Sequence, residues 1–231
     1  MSFARAPGKV LVVGEYAVLD GHPAIVVAVD RFATATVASL PARLSPFLEA
    51  VRVEIGRELG EAGPEAAIAA RIAVESNALA MNGIKLGLGS SAAATVAATA
   101  VAFGRPLDDE SRRLVHLIAH RAHATAQALR GARGSGADIA ASTWGGALSV
   151  RRRSDDMSMP LAVERLAWPV DLSLVLVWSG APADTPALVA RVRDLRAQAP
   201  AEYDRLASGL GGVAADFVAA LIAGDIACAI S

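Results

Sequence analysis

The chain has 231 residues, room for one sizeable domain or two small ones, and 54% hydrophobic against 19% charged residues excludes wholesale disorder. A net charge of −1 excludes a basic field for nucleic acid or an anionic membrane surface, and the single cysteine, Cys228, excludes an internal disulfide or a structural zinc cage. Mean hydropathy is +0.42, yet the longest apolar runs, residues 92–103 and 213–223, fall short of the roughly 20 residues a spanning helix needs, so a soluble protein with no membrane partner is expected.

Gly14-Glu15 breaks the first apolar run before it reaches signal-peptide length, which makes cytoplasmic residence the expectation. Residues 9–13, 24–29 and 33–39 are rich in Val, Ile and Thr and read as strands, with Asp20-Gly21 a turn between the first two. Apolar–polar alternation predicts a half-buried strand over 51–55. Gly63-Pro64 opens an Ala-rich helix, residues 71–79 fit either helix or strand, and Asn82-Gly83 predicts a hairpin. Residues 91–103 and 108–129 read as helices, the second capped by Asp108 or Asp109. A glycine-rich loop covers 131–136. Strands are expected over 147–150, 163–167 and 172–178, and helices over 185–198, 202–210 and 213–223. The run Arg151-Arg152-Arg153-Ser154-Asp155-Asp156 reads as an exposed loop at a subdomain boundary, which divides the chain into 1–160 and 161–231. Early hairpins followed by mixed elements predict an α+β fold rather than a doubly wound sheet.

Three segments carry chemistry. In Gly87-Leu88-Gly89-Ser90-Ser91-Ala92, glycines and serines precede a long small-residue helix. Glycines let the backbone approach a ligand closely, and free N–H groups at a helix start favour an anion. A glycine turn with a serine cap fits the same string. No P-loop pattern occurs in the chain, and the formal dinucleotide match Gly87-x-Gly89-x-x-Ala92 is weakened because Asp108 and Asp109 read as a helix cap, not a strand end. In the second segment Pro7-Gly8-Lys9 places an ammonium at the start of an apolar strand, with Glu15 and Tyr16 following; an ordinary strand-end lysine and a turn carboxylate are the plain alternatives. In the third, Asp138 follows Gly134-Ser135-Gly136, the pattern of a helix cap when taken alone. His116, His120 and His123 share one helical face without a fourth ligand, so a helix flank or a subunit contact in a homodimer is expected rather than zinc.

Together and in this order, the three segments resemble the galactokinase, homoserine kinase, mevalonate kinase and phosphomevalonate kinase (GHMP) superfamily. The resemblance implies an N-terminal ATP-binding domain of the ribosomal protein S5 domain 2-like kind, followed by part of a C-terminal α+β domain. It implies ATP and Mg²⁺ as cofactors and a small-molecule acceptor. Lys9 and Asp138 take the catalytic positions. Gly87, Leu88, Gly89, Ser90, Ser91 and Ala92 cradle the nucleotide, with the Ser91 hydroxyl on Mg²⁺. Glu15, Tyr16, Gln127, Ser135 and Gly136 take substrate-binding positions. Mevalonate kinases carry a metal-binding glutamate eleven residues before the aspartate; Gln127 stands there in this chain, a departure that resembles bacterial phosphomevalonate kinases.

Phosphomevalonate is therefore the expected acceptor and mevalonate the alternative. The family's third, glycine-rich motif has no counterpart after Trp178, since Gly209-Leu210-Gly211-Gly212 is too thin and lies between expected helices. A nucleotide-binding relative without efficient turnover is thus a further reading.

Overall fold

The computed structural model describes residues 3–39, 45–131, 134–153, 161–180 and 185–229. The chain forms two units, each discontinuous in sequence: Met1–Lys9 with Ala28–Gly145, and Val10–Val27 with Gly146–Ser231. Two long strands, β1 (Phe3–Val13) and β2 (Pro23–Val37), pass from one unit into the other. β2 joins the two strands expected over 24–29 and 33–39, because Asp30 and Arg31 are exposed residues of one continuous strand and not a turn.

In the first unit β2 pairs antiparallel with β3 (Ile72–Glu75), Thr34 opposite Glu75 and Val37 opposite Ile72. Helix α1 (Pro46–Leu59) occupies the stretch read as a strand over 51–55. Leu48 N donates to the Ser45 cap hydroxyl at 3.4 Å, and Pro46 takes the first helical position. The alternation misleads there because Val51 and Ile55 are buried one turn apart while Val53 is 51% exposed. Helix α2 (Pro64–Ala69) begins behind Gly63 as expected. Strands β4 (Ala80–Met81) and β5 (Ile84–Lys85) flank Asn82 and Gly83, whose φ of 51° and 78° give the hairpin turn that favours this dipeptide.

Three helices complete the first unit: α3 (Ser90–Ala102), α4 (Asp109–Ala128) and α5 (Ala137–Trp144). Asp108 caps α4, its Oδ1 accepting from Ser111 N at 2.8 Å. Ala97 and Ala98 of α3 are buried with Ile118 and Ala122 of α4 and Ile139 of α5, a core built of small side chains that admit close helix approach. The histidines of α4 point into this unit instead of lining a flank: His120 and His123 are buried, and the His116 ring lies 6.0 Å from that of Trp144.

In the second unit β2 pairs antiparallel with β6 (Ala147–Arg152), Pro23 opposite Arg151 and Val27 opposite Ala147. β6 pairs antiparallel with β7 (Leu161–Leu166). Strand order is β1-β2-β6-β7, with β3 also on β2, and the antiparallel pairings make the fold α+β. The strand expected over 172–178 is not formed: no ladder among the described residues takes it up, and Val175 and Val177 are 80% and 87% exposed. Arg151 and Arg152 of the charge run belong to β6, while its residues 154–156 lie outside the described residues.

Helix α6 (Thr185–Gln198) matches expectation. Helix α7 (Pro200–Ala223) replaces the two helices expected over 202–210 and 213–223, with Gly209 to Gly212 inside it. The reason lies at Gly211, where a Cβ would land on the His22 ring. Asp20 fastens the same region, accepting from Arg196 Nη1 at 2.9 Å and from the Tyr203 hydroxyl. Burial, with the Asp20 bond and charge, pushes the Tyr203 phenol up to about 12. Undivided, α7 is long and apolar enough by length and composition to cross a membrane, contrary to the sequence estimate. Tyr203, Ala207, Gly211, Ala214 and Leu221 nevertheless form a buried stripe at helical spacing, as in a helix packed on protein. A short helix, α8 (Ile226–Ala229), follows.

Two stability measurements test these assignments. By urea unfolding, Gly211→Ala is expected to lose about 2 kcal/mol through overpacking on His22, whereas Gly209→Ala, where a Cβ meets nothing within 4 Å, gains up to about 1 kcal/mol of helix propensity. His116 supplies the second. Burial, then the neighbouring His120, lowers its pKa from 6.5 to about 4. The native state thus holds it neutral, and the unfolded state binds its proton first. Stability is present above pH 6.5 and lost as pH falls toward 4. Between pH 7 and 4.5 the wild type should lose roughly 2 kcal/mol more than His116→Phe.

Candidate active site

The site grows from one close approach in the first unit. A Cβ on Gly8 would lie 2.5 Å from Leu79 Cδ2 and 2.7 Å from the Leu88 carbonyl oxygen, so only glycine lets β1 lie against the loop before α3. Lys9 N donates to that Leu88 carbonyl at 2.9 Å. Gly87 and Gly89 have φ of +79° and +71°, left-handed conformations that turn the loop into the helix. The Lys9 side chain runs across Gly89: a Cβ there would sit 3.1 Å from Lys9 Cγ and 3.2 Å from Cε. The ammonium is thereby delivered beside the start of α3.

Gly89 is the N-cap of α3, and no side chain caps this helix start. The first helical bond runs from Ala93 N to Gly89 O at 3.0 Å, which leaves the N–H groups of Ser90, Ser91 and Ala92 for a ligand or water. Ser91 Oγ lies 3.2 Å from His123 Nε2 of α4. The His123 ring is 2% exposed and packs at 5.1 Å on Phe47, over whose ring Arg130 lies at 4.8 Å. Burial lowers the His123 pKa, and the Asp138 charge opposes that effect. Thr95 and Thr99 return their hydroxyls to the Ser91 and Thr95 carbonyls, which satisfies them inside the core.

The third segment forms the start of α5. Gly136 has φ +85° and precedes the helix, Ser135 Oγ accepts from Ala137 N at 3.2 Å, and Asp138 Oδ1 accepts from Ile139 N at 2.9 Å. One turn along α5, Ser142 Oγ donates to the Pro7 carbonyl at 2.8 Å, which pins this helix two residues before Lys9. Gln127, near the end of α4, accepts at Oε1 from Gly134 N at 3.0 Å and so fastens the glycine loop. Arg133 of the same loop lies outside the described residues.

Glu15 and Tyr16 belong to the other unit. Ala17 N donates to the Glu15 carbonyl at 2.8 Å across Tyr16, whose φ of 64° and ψ of −47° make a tight three-residue turn of the strained hand. Burial, then the Glu15 charge, raises the Tyr16 phenol.

The structure therefore brings Lys9 onto Gly89, Ser91 onto His123, and Gln127 onto Gly134. Sequence reasoning missed the partnership of His123 with Ser91 and of Ser142 with Pro7. Neither leaves a local signal, because the partners stand 32 and 135 residues apart. The dinucleotide alternative fails, since Asp108 caps α4 and ends no parallel strand.

Comparison with known proteins gives the family. Residues 47–146 match the GHMP kinases N terminal domain. A relative, phosphomevalonate kinase of Streptomyces sp. (strain CL190), is 32% identical over 282 aligned positions that take in 96% of this chain and 73% of the relative. The chain belongs to the GHMP kinase family. Its fold is shared with Streptococcus pneumoniae phosphomevalonate kinase in complex with phosphomevalonate and AMPPNP, at TM-score 0.73 and 16% identity, covering 100% of this chain and 77% of that one. It is shared also with L. major mevalonate kinase in complex with R-mevalonate, at TM-score 0.68 and 21% identity, covering 99% and 72%. As a GHMP kinase the protein is an ATP-dependent phosphotransferase.

Among the described residues no group of three His, Cys, Asp or Glu side chains can hold a metal. The Ser91 hydroxyl at the start of α3 is a hard oxygen donor of the kind that suits Mg²⁺.

Glycine substitutions should separate close approach from backbone strain in this GHMP kinase. Gly8→Ala meets the Leu88 backbone and is expected to cost about 2–3 kcal/mol, whereas Gly87→Ala, with nothing within 4 Å but a positive φ, costs about 1 kcal/mol. Paired urea titrations measure the difference.

Proposed function

We propose that this GHMP kinase transfers the γ-phosphoryl group of ATP to 5-phosphomevalonate, giving 5-diphosphomevalonate and ADP, and that it works in the cytoplasm with Mg²⁺. The observation that carries the acceptor choice is the 32% identity, over nearly the whole chain, to a phosphomevalonate kinase. Gln127 agrees with it, being bound to the Gly134 backbone where mevalonate kinases carry a metal-binding carboxylate.

The chemistry suits the residues. A phosphate monoester has a second pKa of about 6, so near pH 7 the acceptor already offers an ionised oxygen. That oxygen attacks the γ-phosphorus, the bond to the ADP oxygen breaks, and no strong base is required. Repulsion between two anions becomes the main barrier. Lys9 answers it with a fixed ammonium, and the N–H groups at the start of α3 answer it with oriented dipoles. From the pinned start of α5, Asp138 would orient Lys9 or the acceptor. Ser91 would hold Mg²⁺, which neutralises charge on the β- and γ-phosphates when bound. Glu15 and Tyr16 are assigned to the acceptor by family likeness, as are Ser135 and Gly136.

Mevalonate is the second reading, favoured by the fold shared with L. major mevalonate kinase. Its alcohol must lose a proton during attack, and Asp138 would then serve as base. ADP release from Mg-ATP, with both acceptors tested side by side, separates the readings. Turnover at least 100-fold better with 5-phosphomevalonate is expected, and preference for mevalonate would replace the proposal. Nucleotide binding without either turnover would make the chain a binding relative. Lys9→Ala and Asp138→Asn should each lower kcat by about 10²–10³ if both act in the transition state.

A further inference from the structure

We propose that His123 is a positioning residue for the nucleotide site: its Nε2 accepts the Ser91 Oγ–H proton and turns the serine oxygen's lone pairs toward the phosphate loop. This rests on the reading that the loop binds ATP, and it adds a specific role that the loop residues alone do not define. A hydroxyl has one hydrogen to donate and two lone pairs to offer. If the hydrogen goes to phosphate, the serine is an anion donor. If it goes to a protein acceptor, the oxygen is left to ligate a cation. Ser91 Oγ and His123 Nε2 lie at hydrogen-bond distance, 3.2 Å, and with Nε2 as the acceptor the second arrangement holds.

The geometry is built to hold that choice. His123 is 2% exposed, so water does not compete for Nε2. Phe47 packs on the ring at 5.1 Å with 30° between planes, and Arg130 covers Phe47 in turn, which leaves the imidazole little room to rotate. Ser91 is equally constrained: it lies in the first turn of α3, and its carbonyl is engaged by Thr95 Oγ1 at 2.8 Å. A neutral imidazole that accepts at Nε2 carries its proton on Nδ1, so the inference fixes the tautomer. It also fixes what Ser91 discriminates, namely Mg-ATP from metal-free ATP, while the backbone N–H groups beside it serve the phosphates in either case.

Two measurements test it. In the ligand-free protein, ¹⁵N-resolved NMR should show His123 protonated at Nδ1 with a pyridine-like Nε2, and an Nε2–H tautomer would overturn the inference. Calorimetric titration supplies the second test. His123→Phe should weaken Mg-ATP binding about tenfold while leaving binding of ATP in EDTA within about twofold. His123→Gln, which can present a carbonyl oxygen near the Nε2 position, should recover most of the loss. Ser91→Ala should weaken Mg-ATP to the same extent, with no further loss when combined with His123→Phe, so the result survives if one variant fails to fold. Equal weakening of both ATP forms, or additive losses in the double variant, would sink the idea. If the wild type binds ATP in neither form, the nucleotide reading itself has failed; if it binds both and His123→Phe changes neither, only the present inference has.

Discussion

The arrangement depends on a backbone contact that no side chain could tolerate. At Gly8 the first strand comes so near the Leu88 carbonyl that a single methyl group would fill the gap, and the Lys9 amide closes the contact with a hydrogen bond. The bond itself contributes only about 1 kcal/mol. Its weight is geometric, because it fixes where the Lys9 chain leaves the strand and hence that its methylenes cross Gly89. Ser142 binds the same strand at Pro7, so the strand end acts as a common datum for the glycine loop and for the helix that carries Asp138.

Around that datum the chain uses small residues where most proteins use large ones. Helix α3 buries Ala92, Ala93, Ala97, Ala98 and Ala102, each contributing little apolar area. What it gains is proximity, since thin helices let polar side chains on neighbours reach across. His123 touches Ser91 because nothing bulky stands between α3 and α4 there. The cost appears on α4, where His116 Nδ1 is buried without a hydrogen-bond partner among the described residues. A polar group in that position strains the native state in acid more than in neutral solution.

Much of this was legible in the sequence, for identifiable reasons. Asn82-Gly83, Gly63-Pro64 and Asp108 act over two to four residues, and each sits where its turn or cap chemistry puts it. The glycine loop before α3 was legible for the same reason. Where the sequence misled, distant packing decided. Residues 51–55 alternate like a strand, yet a serine–proline start outside that window and the burial of Val51 and Ile55 make them helical. Gly209 to Gly212 looked like a break, yet one glycine there exists to admit His22 from almost 190 residues earlier in the chain. Residues 172–178 have the composition of a strand but no neighbouring ladder to join. Helix signals are local, whereas pairing partners are not, and the two kinds of error follow that line.

The interleaved order of the two units has a consequence during synthesis. Residues 10–27 leave the ribosome long before Gly146, where the rest of their unit begins. At 5–20 residues per second that wait lasts on the order of ten seconds, during which an apolar stretch that includes Val12, Ile25 and Val27 has no core to enter. The intervening residues can meanwhile assemble the helical unit with the first nine. The nascent chain therefore carries an unsatisfied hydrophobic loop until Gly146 and the residues after it emerge.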